Sequence, residues 1–346
     1  MSPTTERTGR RVRMLTGALA VAALVAALVA LWQTQFGPLT RPDYCWGTWA
    51  QDGGPFHAGA THRTSSERAP TRRHPSGHCA LSWRGGHGPK ARDQRLDVRY
   101  DTGPEPADER RTWLAGLFTG GDSALPGGLP GFVTAASGSL VLPQTCDVKG
   151  LPSVLTISGT FADTAETARL LLQAADRAAR VTGCAPRAAP RPGALPAAVA
   201  YAARAAAIAP GTAGCGIPAL GREVRSAPAG RLTDRAGSLQ DDFQTCAVAS
   251  DSTWAARFTM TARPRIVALF AGLTGDGPPA RGWRAHGRIT PDGALVTADC
   301  AGRTTVFTMR SGPARTGTRL DDPREVFPDF VDAVAGRIGC APLHSA

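Results

Sequence analysis

The sequence predicts an α+β fold class, with an N-terminal transmembrane helix followed by two tandem disulfide-bonded modules, each an antiparallel sheet with helices on one face. Three observations lead to this expectation. An uncharged apolar segment lies near the N-terminus, eight cysteines all follow it, and Gly-Cys-Ala-Pro occurs twice, at residues 183–186 and 339–342. The chain has 346 residues, which is long enough for two domains that each bury a core.

The apolar segment covers residues 14–32, and a helix of that length spans roughly 28 Å, close to the hydrocarbon thickness of a bilayer. Arginines precede it at Arg7, Arg10, Arg11 and Arg13, and the positive-inside rule keeps that end in the cytoplasm. A cleaved signal peptide is the alternative, although no small-x-small cleavage site follows. We therefore expect a single-pass plasma-membrane protein that contacts the lipid bilayer through residues 14–32, with its N-terminus cytoplasmic and its C-terminal ectodomain outside.

The cysteines form two sets of four with similar spacing. The sets are Cys45, Cys79, Cys146 and Cys184, then Cys215, Cys246, Cys300 and Cys340. Zinc sites use close cysteine pairs, whereas the nearest two here are 31 positions apart, so structural disulfides are favoured.

Element lengths predict the disulfide pairing. After Cys300 a strand runs roughly 26 Å away, and a helix returns roughly 24 Å to Cys340. The same lengths bring Cys184 to Cys146, and the remaining pairs are then Cys45–Cys79 and Cys215–Cys246.

The amino-acid sequence around the cysteines indicates an internal duplication. GSLVLPQTC (138–146) is similar to GALVTADC (293–300), and WLAGLF (113–118) is similar to RIVALF (265–270), in the same order. Each copy is predicted to have about five strands and two helices. The predicted organisation is a basic cytoplasmic tail at 1–13, the transmembrane helix at 14–32, a tether at 33–44, the first module at 45–186, a Pro/Ala-rich linker with a short helix (197–209) at 187–214, and the second module at 215–346.

The helix that ends each copy has a capping box at its start and a left-handed glycine at its end. These residues are Asp163, Glu166 and Gly183 in the first copy, and Asp322, Glu325 and Gly339 in the second. The apolar face of the second helix is formed by Val326, Phe327, Phe330, Val331, Val334 and Ile338.

Candidate sites are few. Five histidines fall in one Gly- and Pro-rich stretch, which predicts a solvated loop rather than a metal site: His57, His62, His74, His78 and His87. Trp46 and Trp49 could line a ligand groove, but their place beside Cys45 favours core packing. The Asp241-Asp242 and Asp321-Asp322 pairs are assigned to a turn and a helix cap, and GGDSALPGGLPG (120–131) to a flexible loop. No catalytic, cofactor-binding or metal residue is predicted, and no cofactor.

The formal net charge of +11 is spread thinly, without the basic block or aromatic stripe typical of nucleic-acid binding, so nucleic acid is not an expected partner.

An Arg-flanked apolar segment, then Cys-Trp-Gly, then two four-cysteine copies that each end in Gly-Cys-Ala-Pro resemble uncharacterised membrane-anchored proteins of actinobacteria. The resemblance covers most of the chain and implies a cell-envelope location, without any catalytic residue. The expected function is a non-enzymatic binding or interaction module, with a ligand to be sought between the copies. An extracytoplasmic hydrolase of envelope polymers is the alternative, and another envelope protein or a wall polymer is a possible partner.

Overall fold

Two seven-stranded antiparallel sheets are the largest elements of the described part of the chain. The computed structural model describes residues 43–51, 53–56, 60–86, 91–185, 206–209, 211–226, 232–237, 239–251, 253–314 and 316–344. A small two-stranded hairpin of β1 (Asp43–Tyr44) and β2 (Trp49–Ala50) precedes the two large sheets.

The first sheet has the order β3-β4-β5-β9-β8-β7-β6. Its strands are β3 (Thr61–Arg68), β4 (Gly77–Gly85), β5 (Arg92–Asp101), β6 (Ser123–Ala124), β7 (Gly131–Val133), β8 (Ser137–Val141) and β9 (Val154–Gly159). Two helices accompany it, α1 (Ala107–Leu117) and α2 (Thr164–Thr182).

The second sheet has the order β10-β11-β12-β13-β16-β15-β14. Its strands are β10 (Ala206–Ala207), β11 (Leu232–Ala236), β12 (Phe243–Ser250), β13 (Thr253–Thr261), β14 (His286–Thr290), β15 (Gly293–Cys300) and β16 (Arg303–Ser311). Its helices are α3 (Pro218–Ser226), α4 (Pro264–Val267) and α5 (Pro323–Arg337). Six strands of each sheet follow the same relative order, which supports the inferred duplication. The module boundaries remain a prediction.

Alternating side chains divide the apolar residues of each sheet between its two faces. In β5, Leu96, Val98 and Tyr100 are buried toward α2, and in β16, Phe307 and Met309 are buried toward α5. A third apolar cluster lies between the sheets. It combines Leu114, Phe118, Ala124, Phe132, Val141 and Val154 from the first half with Phe243, Ile266, Leu269, Phe270, Leu273, Leu295 and Val306 from the second.

The predicted fold class is wrong. The described chain is mostly β-sheet, with three sheets and five helices, and each large sheet has seven strands instead of about five. The two helices of each copy were expected on one face, but α1 and α4 lie on the face opposite α2 and α5, within the layer shared by the sheets. Two sheets joined by an apolar layer are closer to a β-sandwich than to an α+β module.

The predicted transmembrane helix and plasma-membrane localisation also need correction. Among the described residues, which begin at position 43, no helix has the length and apolar character needed to cross a bilayer. The segment 14–32, on which both predictions depended, lies outside the described residues, as do the tail at 1–13 and the tether up to residue 42.

The predicted linker lies partly outside the described residues. Within the helix expected at 197–209, the described residues begin at Ala206, and Ala206 and Ala207 form strand β10, which pairs with β11. That part of the helix prediction is wrong. The alanine-rich sequence favours a helix locally, but pairing with a sheet edge overrides that preference.

The N-caps and the left-handed glycines match the sequence prediction, but the capping box of α5 does not close, because the Asp322 N–H donates to the Arg319 carbonyl and Glu325 pairs with the Arg319 side chain. The Asp163 carboxylate accepts a hydrogen bond of 2.8 Å from the Glu166 N–H, and Gly183 ends α2 with φ of 69°. Asp322 caps α5 by accepting from the Arg324 N–H at 2.9 Å, and Gly339 follows with φ of 70°. The six residues predicted for the apolar face of α5 are all buried.

The structure forms the four predicted disulfides. Cys146–Cys184 and Cys300–Cys340 join strand-end segments to the ends of α2 and α5, with Cα–Cα distances of 5.0 and 4.7 Å. Cys45–Cys79 joins the hairpin before the first sheet to β4, and Cys215–Cys246 joins the segment between β10 and β11 to β12, at 5.3 and 5.9 Å. The pairing derived from strand and helix lengths is therefore confirmed.

Candidate functional site

A groove of about 460 Å³ lies between α1 of the first half and the face of the second sheet that is turned toward it. This volume is within the range of small-molecule sites, about 300–1,000 Å³. Four arginines line the groove, together with threonines and apolar side chains: Arg111, Arg257, Arg288 and Arg310.

Strand register defines the floor of the groove. One row across the sheet joins Arg257 of β13, Arg310 of β16, Gly293 of β15 and Thr290 of β14. The next row joins Thr259, Thr308, Leu295 and Arg288. Because side chains two positions apart point to the same face, these eight positions form one platform. Gly293 has no side chain, so it leaves space beside Arg310.

Arg257 and Arg310 are directly opposite each other on neighbouring strands. Directly opposed residues of an antiparallel pair have Cα atoms about 4.5–5.5 Å apart, and like charges in such a pair are destabilising. Neither guanidinium forms an ion pair or a hydrogen bond with another described residue. The floor therefore has two adjacent positive charges without a carboxylate between them.

Arg257 is held in place by Trp254. The strand register skips Ala255, so a β-bulge brings Trp254 and Arg257 to the same face, and the guanidinium lies 4.2 Å from the centre of the indole ring. Burial lowers the pKa of Arg257, and the charge of Arg310 lowers it further, while buried Asp122 opposes both effects. An anion near the two arginines would oppose both lowering effects, because its negative charge stabilises the charged guanidiniums.

Arg111 and Arg288 form a second pair at another part of the groove wall. Asp108 lies between them, with its Oδ1 at 2.6 Å from an Arg111 Nη and 3.9 Å from an Arg288 Nη. Arg111 also donates to the Leu273 carbonyl at 2.8 Å, which joins α1 to the second half. These two arginines are thus partly neutralised, unlike Arg257 and Arg310.

Several polar atoms of the groove lack partners. The buried Nε atoms of Arg111 and Arg257 donate no hydrogen bond among the described residues. The hydroxyls of Thr259 and Thr308 likewise bond to no other described residue. Buried polar groups in folded proteins are usually satisfied, so this concentration is typical of a site completed by a ligand or by water.

The wall opposite the platform is mostly apolar. Leu114 and Ala115 of α1 and Phe118 just after it contribute, with Phe270 and Leu273 from the segment after α4, and α1 also adds Arg111 and Thr112. The Phe118 ring stacks on Phe132 and Phe270, with centroids 4.7 and 5.9 Å apart. The WLAGLF and RIVALF segments, recognised as equivalent in sequence, therefore meet in this wall.

Buried polar contacts fix the two halves around the groove. Arg263, which is 3% exposed, donates to the carbonyls of Leu125 and Leu129 and pairs with Asp242 at 3.1 Å. Arg265 pairs with Asp147 of the first half. Gly120, with φ of 74°, packs so closely on β12 that an added Cβ would lie 2.8 Å from the Cys246 carbonyl oxygen.

The residues considered from the sequence do not belong to the groove. Trp46 and Trp49 are buried in the first core, where the Trp49 indole donates to Gln173 at 2.8 Å. Among the histidines of the Gly- and Pro-rich stretch, His57 and His87 lie outside the described residues, and His78 is 3.6 Å from Asp97. In the described part of the chain, no group of three or more His, Cys, Asp or Glu side chains could hold a metal ion.

The aspartates and the glycine-rich segment have other roles. Asp242 pairs with Arg263, and Asp321 accepts from the backbone N–H groups of Thr316 and Gly317. The segment 120–131, expected as a flexible loop, contains β6 and buried Asp122 and lies against the second half.

Sequence reasoning missed Arg257, Arg310 and Asp122. A signal for the two arginines was present, because each lies in an otherwise apolar or threonine-rich strand that belongs to the sheet centre. Their register across β13 and β16, however, cannot be read from the sequence. No such signal marked Asp122, since a Gly-Gly-Asp sequence is ordinary in surface loops.

Comparisons with known proteins identify no family. No family model matches the sequence, and no curated protein matches it. One matching solved structure is that of the di-domain ARO/CYC StfQ from the steffimycin biosynthetic pathway, with 8% sequence identity, a TM-score of 0.13, and coverage of 85% of this chain and 91% of that chain. A TM-score this low carries no argument about fold or function.

Proposed function

We propose that this protein is a non-enzymatic binding protein whose groove between the two sheets takes a small anionic ligand. The observation that carries the proposal is the Arg257–Arg310 pair, two guanidiniums on opposed positions that form no salt bridge or hydrogen bond with a described carboxylate, with Asp122 acting on Arg257 only through its charge. Arginine binds carboxylate, phosphate and sulfate groups through paired N–H donors, and it stays charged at all physiological pH values.

The charge of the whole lining favours an anion. Four arginines line the groove together with one carboxylate, that of Asp292, while Asp108, outside the lining, contacts Arg111 and Arg288. The surplus positive charge is concentrated beside Thr259 and Thr308, whose free hydroxyls can donate to ligand oxygens. An anion there would reduce the repulsion between the arginines and satisfy these donors together.

The hydrolase alternative lacks a supporting observation in this groove. A hydrolase needs an activated nucleophile or a pair of acid–base groups. Among the described residues that line the groove there is no histidine or cysteine, and Asp292 is the sole carboxylate. The lining supports binding through charge and hydrogen bonds better than proton transfer.

Thermal unfolding in phosphate tests the proposal. Phosphate is titrated to millimolar concentration with the ionic strength held constant by chloride. A ligand at a hundred times its Kd stabilises the folded state by about 2.7 kcal/mol, so we expect a saturable rise in Tm. Arg310→Gln should abolish the rise without lowering Tm in chloride, because it removes an exposed charge that faces another arginine.

Arg235→Gln is the matched control. Arg235 lies in the same row of the second sheet, on β11, outside the residues that line the groove. Arg235→Gln changes the net charge by the same amount as Arg310→Gln, and it should leave the rise in Tm caused by phosphate unchanged. Equal stabilisation of the wild-type protein and the Arg310→Gln variant by phosphate would contradict an anion site at this pair.

A further inference from the structure

We infer that the ligand is an amphipathic acid, with one compact anionic group on Arg257 and Arg310 and an apolar body against α1. This inference rests on the proposed function and specifies its ligand class. It depends on the separation of polar and apolar surfaces within the groove.

The polar surface is on the sheet. Arg257, Arg310, Thr259 and Thr308 occupy a two-by-two block of β13 and β16, in which the arginines form one row and the threonines the next. An anionic group over this block can receive guanidinium N–H donors on one side and hydroxyl donors on the other. The block is compact, since neighbouring strands lie about 4.8 Å apart, and it suits one acidic group.

The apolar surface begins on the next strand and continues over the helix. Leu295 of β15 is directly beside Thr308, and Gly293 beside Arg310 leaves the space above β15 open. Ala115 of α1 is half-buried, and Leu114, Phe118, Phe270 and Leu273 are buried around it. A ligand body that leaves the acid-binding block therefore enters the space between β15 and α1, which has apolar surface from Leu295 and α1 and polar residues of β14 at its far side, Arg288 and Thr290.

The volume also exceeds the need of an anion alone. A cavity of about 460 Å³ is large for phosphate or sulfate and typical of a site for an organic molecule. Hydrocarbon or aromatic surface placed there would be removed from water, which stabilises binding by about 25 cal/mol per Å² of apolar area. A bare inorganic anion would leave that part of the groove filled with water.

Two fluorescent probes with the same aromatic body separate the contributions. 1-Anilinonaphthalene-8-sulfonate carries a sulfonate on an apolar body, and N-phenyl-1-naphthylamine is the same body without the acid. We expect the sulfonate to bind at least tenfold more tightly than the amine, and phosphate to compete with it. Arg310→Gln should weaken sulfonate binding at least tenfold, since a charge-assisted hydrogen bond is lost, while Arg235→Gln should not.

A variant in the apolar wall tests the position of the body. Ala115→Phe fills the space beside α1 and should weaken sulfonate binding at least tenfold, while the Tm rise caused by phosphate persists. Ala115→Ser is the matched control, because it changes the same position without adding a large group. Near-ultraviolet circular dichroism of each variant checks that its tertiary packing is intact, since the sulfonate probe also binds partly unfolded chains, which lose that signal.

The outcomes separate this inference from the proposed function. Phosphate binding that depends on Arg310 supports the anion site by itself. If the sulfonate probe then binds no more tightly than phosphate, or if Ala115→Phe does not weaken its binding, the inference of an amphipathic acid is wrong and the anion site stands. Equal binding of the amine and the sulfonate would also overturn the inference, because the acid would then not anchor the ligand. If neither phosphate nor the sulfonate responds to Arg310→Gln, both proposals fail.

Discussion

Asp122 makes the stability of the folded chain depend on pH. Burial raises the pKa of this carboxyl to about 6. The Thr119 hydroxyl donates to it at 2.8 Å, and the Thr119 and Gly120 N–H groups each donate at 2.9 Å. These hydrogen bonds and the charge of Arg257 lower the pKa, but by less than burial raises it.

The direction of the pH effect follows from the two pKa values. An aspartate in an unfolded chain has a pKa of about 3.9, so the folded state holds this proton more tightly. The stabilisation is complete below the unfolded pKa and is lost as the pH rises through about 6. A difference of two pKa units corresponds to about 3 kcal/mol. We expect the contribution of Asp122 to the free energy of unfolding to fall by about 2–3 kcal/mol between pH 4 and pH 7.

Asp122→Asn isolates this effect. One Asp122 oxygen accepts both backbone N–H groups and the other accepts the Thr119 hydroxyl. An asparagine can keep its oxygen toward the backbone donors and donate its NH₂ to the Thr119 oxygen, because a hydroxyl both donates and accepts. All three contacts are then retained without a charge. The free energy of unfolding of the variant should therefore exceed that of the wild-type protein by about 2–3 kcal/mol at pH 7.5 and equal it near pH 4.

Urea unfolding at several pH values from 4 to 8, with oxidised disulfides, measures the difference. Subtracting the free energy of unfolding of the wild-type protein from that of the variant cancels the contributions of groups that titrate equally in both. These groups include Asp97 and Glu105, whose pKa values are lowered by Arg95 and Lys149. A difference that stays constant with pH would refute the reasoning, as would a variant that is less stable at pH 7.5.

Two further predictions concern the scaffold. Replacing both Cys300 and Cys340 with serine opens a link across 40 positions and should cost about 4 kcal/mol by loop entropy, measured by urea unfolding; an unchanged midpoint would contradict a stabilising disulfide. Arg263→Met leaves Asp242 and two carbonyls of the first half without their partner and should cost about 2–4 kcal/mol. Arg281→Met, at an exposed arginine, is its control, and equal losses in the two variants would argue against the buried contacts of Arg263.

The ends of the helices could be predicted because they depend on residues that are close together in the sequence. Asp163, Gly183 and Gly339 could be assigned to helix ends since capping needs a side-chain acceptor or a left-handed residue at a fixed place. The disulfides were predictable for a related reason. A strand and a returning helix of similar length bring their ends together whatever else surrounds them.

The number of strands and the sheet face on which each helix packs were harder to predict from the sequence. Strand β3 is mostly exposed along its length, so it has none of the apolar alternation that marks a strand, and it is held by pairing with β4. Both α1 and α4 have an apolar side, but periodicity does not say against which face of a sheet that side packs. The fold-class error came from that ambiguity.

The sequence by itself determined the two-copy plan, the ends of α2 and α5 and the pairing of the cysteines, because each depends on short-range chemistry or on element length. Only the tertiary structure decided that the copies meet through the faces opposite their long helices. Strand register within the second sheet places Arg257 beside Arg310, and the contact between the copies covers this pair with α1 and buries Asp122, where its pKa rises. Strand register and burial arise from residues far apart in the chain, so the charged groove becomes visible only once the sheets have formed and packed.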